Sequence, residues 1–120
     1  IKNVSIVMLS SIVGNLGFED LSNYASSKGA IESFAKSVAV EYSKYNVRVN
    51  CVAPGFIKTS YFEKFKNKRK KLYNWTISRI PLKRWGESSE VSPLIEFLIS
   101  KKSSYITGST FFVDGGWSIS

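Results

Sequence analysis

Apolar positions recur along this chain in two rhythms. Val4-Ser5-Ile6-Val7-Met8-Leu9 is a short, β-branched, almost wholly apolar run, ending at Ser10-Ser11 and followed by Gly14 and Gly17. Such a run reads as a strand buried on both faces. From Asn23 to Tyr45 there is no proline and the period becomes helical, with Ala25, Ala30, Phe34, Val38 and Tyr42 in one stripe and Ile31 and Ala35 beside it. Val47-Arg48-Val49-Asn50-Cys51-Val52 predicts a second strand, stopped by Pro54-Gly55. Strand, long helix and strand with short links make a βαβ unit and hence a parallel sheet.

The pattern is less regular from 56 to 85. It predicts a short helix around Tyr61 to Lys71, then a helical or loop stretch to Pro81, with Gly86 breaking the chain. Ser88 is a candidate N-cap for a helix whose apolar stripe is Val91, Leu94, Ile95, Leu98 and Ile99. Pro93 falls early in it, where a missing N–H costs least. Gly108 precedes a last strand, Thr110 to Val113, and Asp114-Gly115-Gly116 is a turn signal. The predicted order is β-α-β-α-α-β, the architecture of half of a doubly wound α/β domain. Its first strand expects a neighbour on its other side, because an uncovered apolar strand edge is an aggregation hazard.

Composition narrows the options. A chain of 120 residues, 43% hydrophobic and 22% charged, is globular and allows one domain at most. No run of 18 apolar residues predicts a membrane span, and the opening residues lack a signal-peptide pattern. A single cysteine, Cys51, excludes an internal disulfide framework and reads as a core residue. With no histidine, the Ser-His-Asp and Cys-His designs and the usual zinc sites fall away.

The net charge of +8 is concentrated. Residues 58 to 85 hold ten Lys/Arg and one acid, Glu63, whereas the rest of the chain has seven basic and eight acidic residues. Phe62, Phe65, Leu72, Tyr73, Trp75 and Ile77 are interleaved with those cations. A solvated helix is the plain reading, an electrostatic funnel for an anionic substrate the next, and a nucleic-acid or membrane patch the least favoured.

The residues that suggest chemistry are Ser11, Tyr24 and Lys28. Tyr24 and Lys28 are four apart at the start of the long helix, which puts both on one face. A free phenol ionises near ~10. A neighbouring ammonium favours phenolate, so the pair can serve as a general acid/base without histidine. Ser11 falls at the carboxyl end of the first strand, where open α/β sheets bind ligands, and its hydroxyl can hydrogen-bond a carbonyl or alcohol oxygen. Alone, Tyr-x-x-x-Lys is a weak signal.

Context makes it specific. Tyr24-Ala25-Ser26-Ser27-Lys28-Gly29-Ala30, with Ser10-Ser11 thirteen residues before the tyrosine, resembles the active-site signature of the short-chain dehydrogenase/reductase family. The run from Val47 through Pro54-Gly55-Phe56-Ile57-Lys58-Thr59 resembles the family's next segment. So do Arg84-Trp85-Gly86 with Glu90-Val91, and Tyr105-Ile106-Thr107-Gly108 followed by Val113-Asp114-Gly115-Gly116.

The resemblance implies the C-terminal half of a Rossmann-like doubly wound sheet. The expected activity is a cytoplasmic, NAD- or NADP-dependent oxidoreductase interconverting a carbonyl and an alcohol, of 3-oxoacyl-thioester reductase or sugar/polyol dehydrogenase type. Tyr24 would be the proton donor or base, Lys28 would favour its phenolate and hold the nicotinamide ribose, and Ser11 would position the substrate oxygen. Ser10 is the alternative to Ser11, since one residue along a strand changes the face. Pro54, Gly55, Ile57 and Thr59 would pack against the nicotinamide end of the cofactor, with residues 59 to 85 as a substrate lid. A homodimer or homotetramer is expected, acting on a small, anionic carbonyl or alcohol substrate, without membrane or nucleic acid.

The resemblance also implies that a dinucleotide-binding half, with its Gly-rich phosphate turn, precedes this stretch. Gly14-Asn15-Leu16-Gly17 lacks that spacing and falls where the family has an active-site loop. The family's catalytic Asn and its NAD/NADP-selecting residue have no counterpart here, so the 120 residues alone should not turn over. The rival readings are a basic anion- or nucleic-acid-binding module and a non-catalytic remnant. The first of these treats Ser11, Tyr24 and Lys28 as accidental.

Overall fold

The computed structural model of the chain describes residues 3–120. Three strands, β1 (Val4–Leu9), β2 (Val47–Pro54) and β3 (Thr110–Val113), form a parallel sheet in the order β1-β2-β3. Four α-helices connect them: α1 (Ser22–Tyr42), α2 (Phe62–Lys68), α3 (Lys70–Arg79) and α4 (Ser92–Ile99). The registers run from Val4↔Val47 to Leu9↔Val52, and from Cys51↔Thr110 to Pro54↔Val113. The α/β class and the parallel sheet are as expected. The stretch before Pro81 is a helix in its own right, α3.

Side chains on β2 alternate between two layers. Val49 and Cys51 face α1 and meet Ala35 and Ala39, while Val52 faces α4 and meets Val91 and Leu98. The expected α1 stripe is only partly right. The helix buries Ala35, Ala39 and Glu32, with Ile31 and Val38 packed alongside, and leaves Phe34 and Tyr42 exposed. Two alanines let the helix axis come close to the sheet, and bulkier Phe34 and Tyr42 point away from that contact. The last predicted turn of α1 is a 3₁₀ turn, Ser43–Tyr45, ended by Asn46 in the left-handed region (φ 59°).

β1 differs from its expected double burial. Val4, Ile6 and Leu9 are 42%, 41% and 51% exposed. β1 is an edge strand of this sheet, flanked by β2 on one side only, and of its apolar side chains Val7 and Met8 pack into the core. Among the described residues its outer edge has no partner strand.

The carboxyl end of α4 is fixed by polar contacts. Arg48 on β2 donates to the carbonyls of Leu98 (3.3 Å), Ser100 (3.0 Å) and Ile106 (3.0 Å) and to Ser103 Oγ (3.0 Å). Fully buried Asn50 donates to the Ile106 carbonyl at 3.0 Å and accepts from the Ser109 N–H at 3.1 Å. Arg48 satisfies carbonyls that the helix end leaves without partners, and Asn50 ties the segment before β3 to β2. At the other end of α4, Glu87 and Glu90 form the capping box of a preceding 3₁₀ turn, Ser88–Glu90; Ser88 is not the cap.

A third core lies beyond the sheet's carboxyl edge. Ile12, Val13, Phe62, Ile80, Trp85 and Trp117 are buried together, and this cluster carries α2 and α3. Trp85 Nε1 donates to the buried Thr76 Oγ1 at 2.8 Å, locking α3 to the loop behind it. Gly115 and Gly116, at φ 62° and 92°, turn the chain after β3 so that Trp117 enters this core.

Candidate active site

β1 ends at the point where its last residues must leave the sheet. Ser10 and Ser11 therefore have different fates. Ser10 Oγ is buried and donates to Glu32 Oε1 at 3.1 Å. Ser11 is extended (φ −161°), accepts from the Val13 N–H at 3.2 Å as cap of the 3₁₀ turn Ile12–Gly14, and lines an open pocket. Of the two serines the sequence left open, Ser11 faces that pocket.

The pocket has a volume of about 350 Å³ and lies outside the carboxyl ends of β1 and β2. Ser11, Tyr24 and Gly55 line it together with the apolar Ile12, Val13, Phe18, Leu21 and Phe56. Tyr24 stands in the first turn of α1, half exposed. One turn on, the Lys28 ammonium is 5.6 Å from the centre of the Tyr24 ring and donates to the Leu9 carbonyl at 3.2 Å. Ser11 and Tyr24 thus share one cavity, with a cation beside the phenol ring.

The remaining expected residues divide. Pro54 closes β2 and Gly55 enters the pocket wall. A side chain at Gly55 would meet Asp114 Cβ at 2.8 Å, so only glycine lets this strand end lie against the turn after β3. Ile57 packs instead into the α4-side core and pairs with Gly86. Thr59 accepts from the Tyr61 N–H at 3.3 Å and its carbonyl from the Phe62 N–H at 3.0 Å, so it starts α2. Neither Ile57 nor Thr59 lines the Tyr24 pocket.

Glu32 was not anticipated. It is buried in α1, accepts from Ser10 Oγ and from Asn15 Nδ2, and so fastens the strand end and the turn after it to the helix that carries Tyr24. Gly14 makes the approach possible, since a Cβ there would lie 3.0 Å from the Lys28 carbonyl carbon and 3.1 Å from Glu32 Oε2. A Lys28/Glu32 spacing of four residues suggests a surface ion pair. The fold parts them, turning Lys28 to β1 and Glu32 inward. Phe18 and Leu21 were likewise unmarked in sequence, because isolated apolar residues in loops carry no periodic signal.

Other side chains have plain roles. Cys51 is a core residue, and burial pushes its thiol pKa up, so it stays protonated. Trp85 and Trp117 are buried packing residues, while Trp75 lines a second cavity beside the first. Two lysines of the basic segment stand over aromatic rings: Lys58 lies 5.1 Å from the Phe62 centroid, and Lys66 lies 5.9 Å from it and 5.5 Å from that of Tyr73.

The residues present fit the nicotinamide end of a dinucleotide and not its pyrophosphate. An apolar-walled pocket with one serine hydroxyl and a nearby ammonium suits a ring and its ribose. The glycine-bearing turn after β1 is occupied by contact with α1 at Gly14, so its backbone is not open to phosphate. No helix among the described residues is long and apolar enough to cross a membrane.

Comparison with known proteins agrees with this arrangement. The sequence model of the enoyl-(acyl carrier protein) reductase family matches residues 2–118. The 3-oxoacyl-[acyl-carrier-protein] reductase FabG of Thermotoga maritima is 45% identical over 115 residues, covering 96% of this chain and 46% of that protein. A tropinone reductase homolog of Datura stramonium is 44% identical over 119 residues, covering 98% and 44%. Among solved structures, a gluconate 5-dehydrogenase from Burkholderia cenocepacia in complex with NADP and tartrate superimposes with a TM-score of 0.92 at 28% identity, over 98% of this chain and 46% of that one. A 4-hydroxyisoleucine dehydrogenase complexed with NADH gives 0.90 at 35% identity, over 97% and 47%. The chain spans about half the length of the curated relatives it matches. On sequence, fold and the placement of its Ser, Tyr and Lys, the chain belongs to the short-chain dehydrogenase/reductase family.

Proposed function

We propose that this chain is the catalytic half of an NAD- or NADP-dependent cytoplasmic oxidoreductase that interconverts a carbonyl and an alcohol. The observation that carries the proposal is the shared pocket: Ser11 and Tyr24 line it, and the Lys28 ammonium stands 5.6 Å from the Tyr24 ring. When bound, the nicotinamide cofactor supplies or accepts the hydride. Ser11 donates a hydrogen bond to the substrate oxygen, and Tyr24 delivers a proton to it in reduction or removes one in oxidation. Lys28 places its ammonium 5.6 Å from the centre of the Tyr24 ring and would hold the nicotinamide ribose when the cofactor is bound. The phosphate-binding turn belongs to another stretch of the polypeptide, paired along the open edge of β1.

An anionic substrate of the 3-oxoacyl-thioester or sugar-acid kind is part of the proposal. The ten cations between residues 58 and 85 support it, as do relatives named for gluconate and 4-hydroxyisoleucine, both carboxylic acids. Self-association to a dimer or tetramer also belongs to it, supported by the exposed Phe34, Val40 and Tyr42 on α1.

The test compares Ser11→Ala with Ser10→Ala in the native polypeptide that carries this chain, following NAD(P)H consumption with a carbonyl substrate. Ser11→Ala is expected to lower kcat/KM about 100-fold, the effect of removing one donor to a developing oxyanion. Ser10→Ala is expected to lower stability by about 1–3 kcal/mol, through its bond to Glu32, with little change in kcat/KM. The reverse pattern would move the site away from this pocket.

A further inference from the structure

A larger cavity, of about 1030 Å³, adjoins the Ser11–Tyr24 pocket and shares Phe18, Leu21 and Phe56 with it. Its floor is Trp117, stacked on Phe18 with centroids 5.7 Å apart and planes 20° apart, and met edge-on by Trp75 at 5.4 Å. Leu16 and Leu72 add apolar wall, and Ser118 and Ser120 add polar wall beside Trp117. Flat aromatic walls of this kind take a ring or compact hydrocarbon body.

The charged groups are at the rims. Arg69 and Arg79 stand on the lid side, Glu19 and Asp20 on the loop before α1. The Arg79 guanidinium is 4.9 Å from the Trp117 centroid and 5.7 Å from that of Trp75. Stacking fixes a planar cation in place while its N–H fork remains available. Among the described residues neither arginine is ion-paired with a carboxylate. The two acids flank Phe18 and Leu21, residues that belong to the Tyr24 pocket as well. They repel an anion from that rim, and the lid cations attract it to the other.

We propose that this cavity holds the body of the substrate and that Arg79 anchors a carboxylate on it. The substrate class is then a free acid with a ring-sized apolar body, an alicyclic or aromatic oxo-acid or its hydroxy-acid. Its carbonyl or alcohol oxygen points to Ser11 and Tyr24 and its carboxylate to the lid. This assignment rests on the oxidoreductase reading above, and narrows it.

The probe is 4-oxocyclohexanecarboxylate and its methyl ester, with the native polypeptide and its Arg79→Gln and Arg79→Lys variants. The acid is expected to exceed the ester in kcat/KM by at least about tenfold, the effect of one charge-assisted contact. Arg79→Gln should abolish that preference, raising KM for the acid by more than for the ester. Arg79→Lys, which keeps the charge without the fork, should retain part of the preference and shows that the fold tolerates change there. Binding of the acid should also quench tryptophan emission, since Trp75 and Trp117 line the cavity, and should fail to do so in Arg79→Gln. Equal turnover of acid and ester, equal loss of both in Arg79→Gln, or unchanged emission would overturn the assignment. If another carbonyl, such as a 3-oxoacyl thioester, is reduced with dependence on Tyr24 while the acid is not, the cavity assignment fails and the oxidoreductase stands. If no carbonyl is reduced in a Tyr24-dependent way, the oxidoreductase reading fails, and the emission titration alone decides the acid site.

Discussion

Ser10 and Ser11 illustrate how one residue step separates structure from chemistry. Both lie at a strand end, and the alternation of a strand sends their side chains to different places. One binds Glu32 inside the protein; the other faces the pocket. A second residue-scale case is Glu90. Arg84 donates to both its carboxylate oxygens, at 2.7 and 2.8 Å, and the Glu87 N–H donates at 3.0 Å. The Arg84 hydrogen bond first, then that N–H, holds the Glu90 pKa down at about 2, against an ordinary 4.5. A depressed carboxylate contributes stability above its unfolded value, and that contribution is lost as pH falls through the folded one. Thermal melts should therefore weaken between about pH 4.5 and 2, and Glu90→Gln should flatten that part of the profile. An unchanged acid limb in the Glu90→Gln variant would show that the pair plays no part in acid stability.

At the scale of elements, the strands and the two long helical patterns were legible because burial imposes period 2 or 3.6 on them. Val4–Leu9 and Thr110–Val113 are strands with the bounds their apolar runs suggest. The face of α1 was harder to see. Phe34 and Tyr42 are among its bulkiest side chains, yet Ala35 and Ala39 make the contact, because close approach to a sheet favours small side chains. Polar anchors were not legible at all, since Arg48 on a strand looks like a solvated cation. It holds three carbonyls and a serine hydroxyl at the end of α4. Arg48→Leu is expected to destabilise the protein by about 2–4 kcal/mol, since it leaves partly buried acceptors without a donor. Denaturant unfolding measures it; a loss within about 0.5 kcal/mol, the range of an inconsequential surface change, would contradict the anchoring role.

At the scale of the molecule, the site is made where three separate pieces converge: the end of β1, the first turns of α1 and the end of β2. Tyr24, Lys28, Ser11 and Gly55, which motif spacing proposes as site residues, lie near one another there. Ile57 and Thr59, which the same motif assigns to the nicotinamide end of the cofactor, pack on the α4-side core and start α2. The cavity beside the Tyr24 pocket was not recognisable, because its walls come from residues 16 to 21, from α2 and α3, and from the turn after β3. The exposed edge of β1 and the apolar residues on α1 make a bare 120-residue unit prone to association. Sedimentation of the native polypeptide is expected to give a dimer or tetramer; a monomer at micromolar concentration would mean that those residues are covered within one chain.

The most direct measurement is the turnover of Tyr24→Phe in that native polypeptide, with NADH and NADPH and a carbonyl substrate that the unaltered protein reduces. Phenylalanine keeps the ring beside Lys28 and removes only the phenol hydroxyl. Loss of the proton donor should lower kcat/KM by about 10²–10⁴-fold without changing the unfolding midpoint. Turnover equal to that of the unaltered protein would show that the proton comes from elsewhere, and that the Ser11–Tyr24 pocket is not where the reaction occurs.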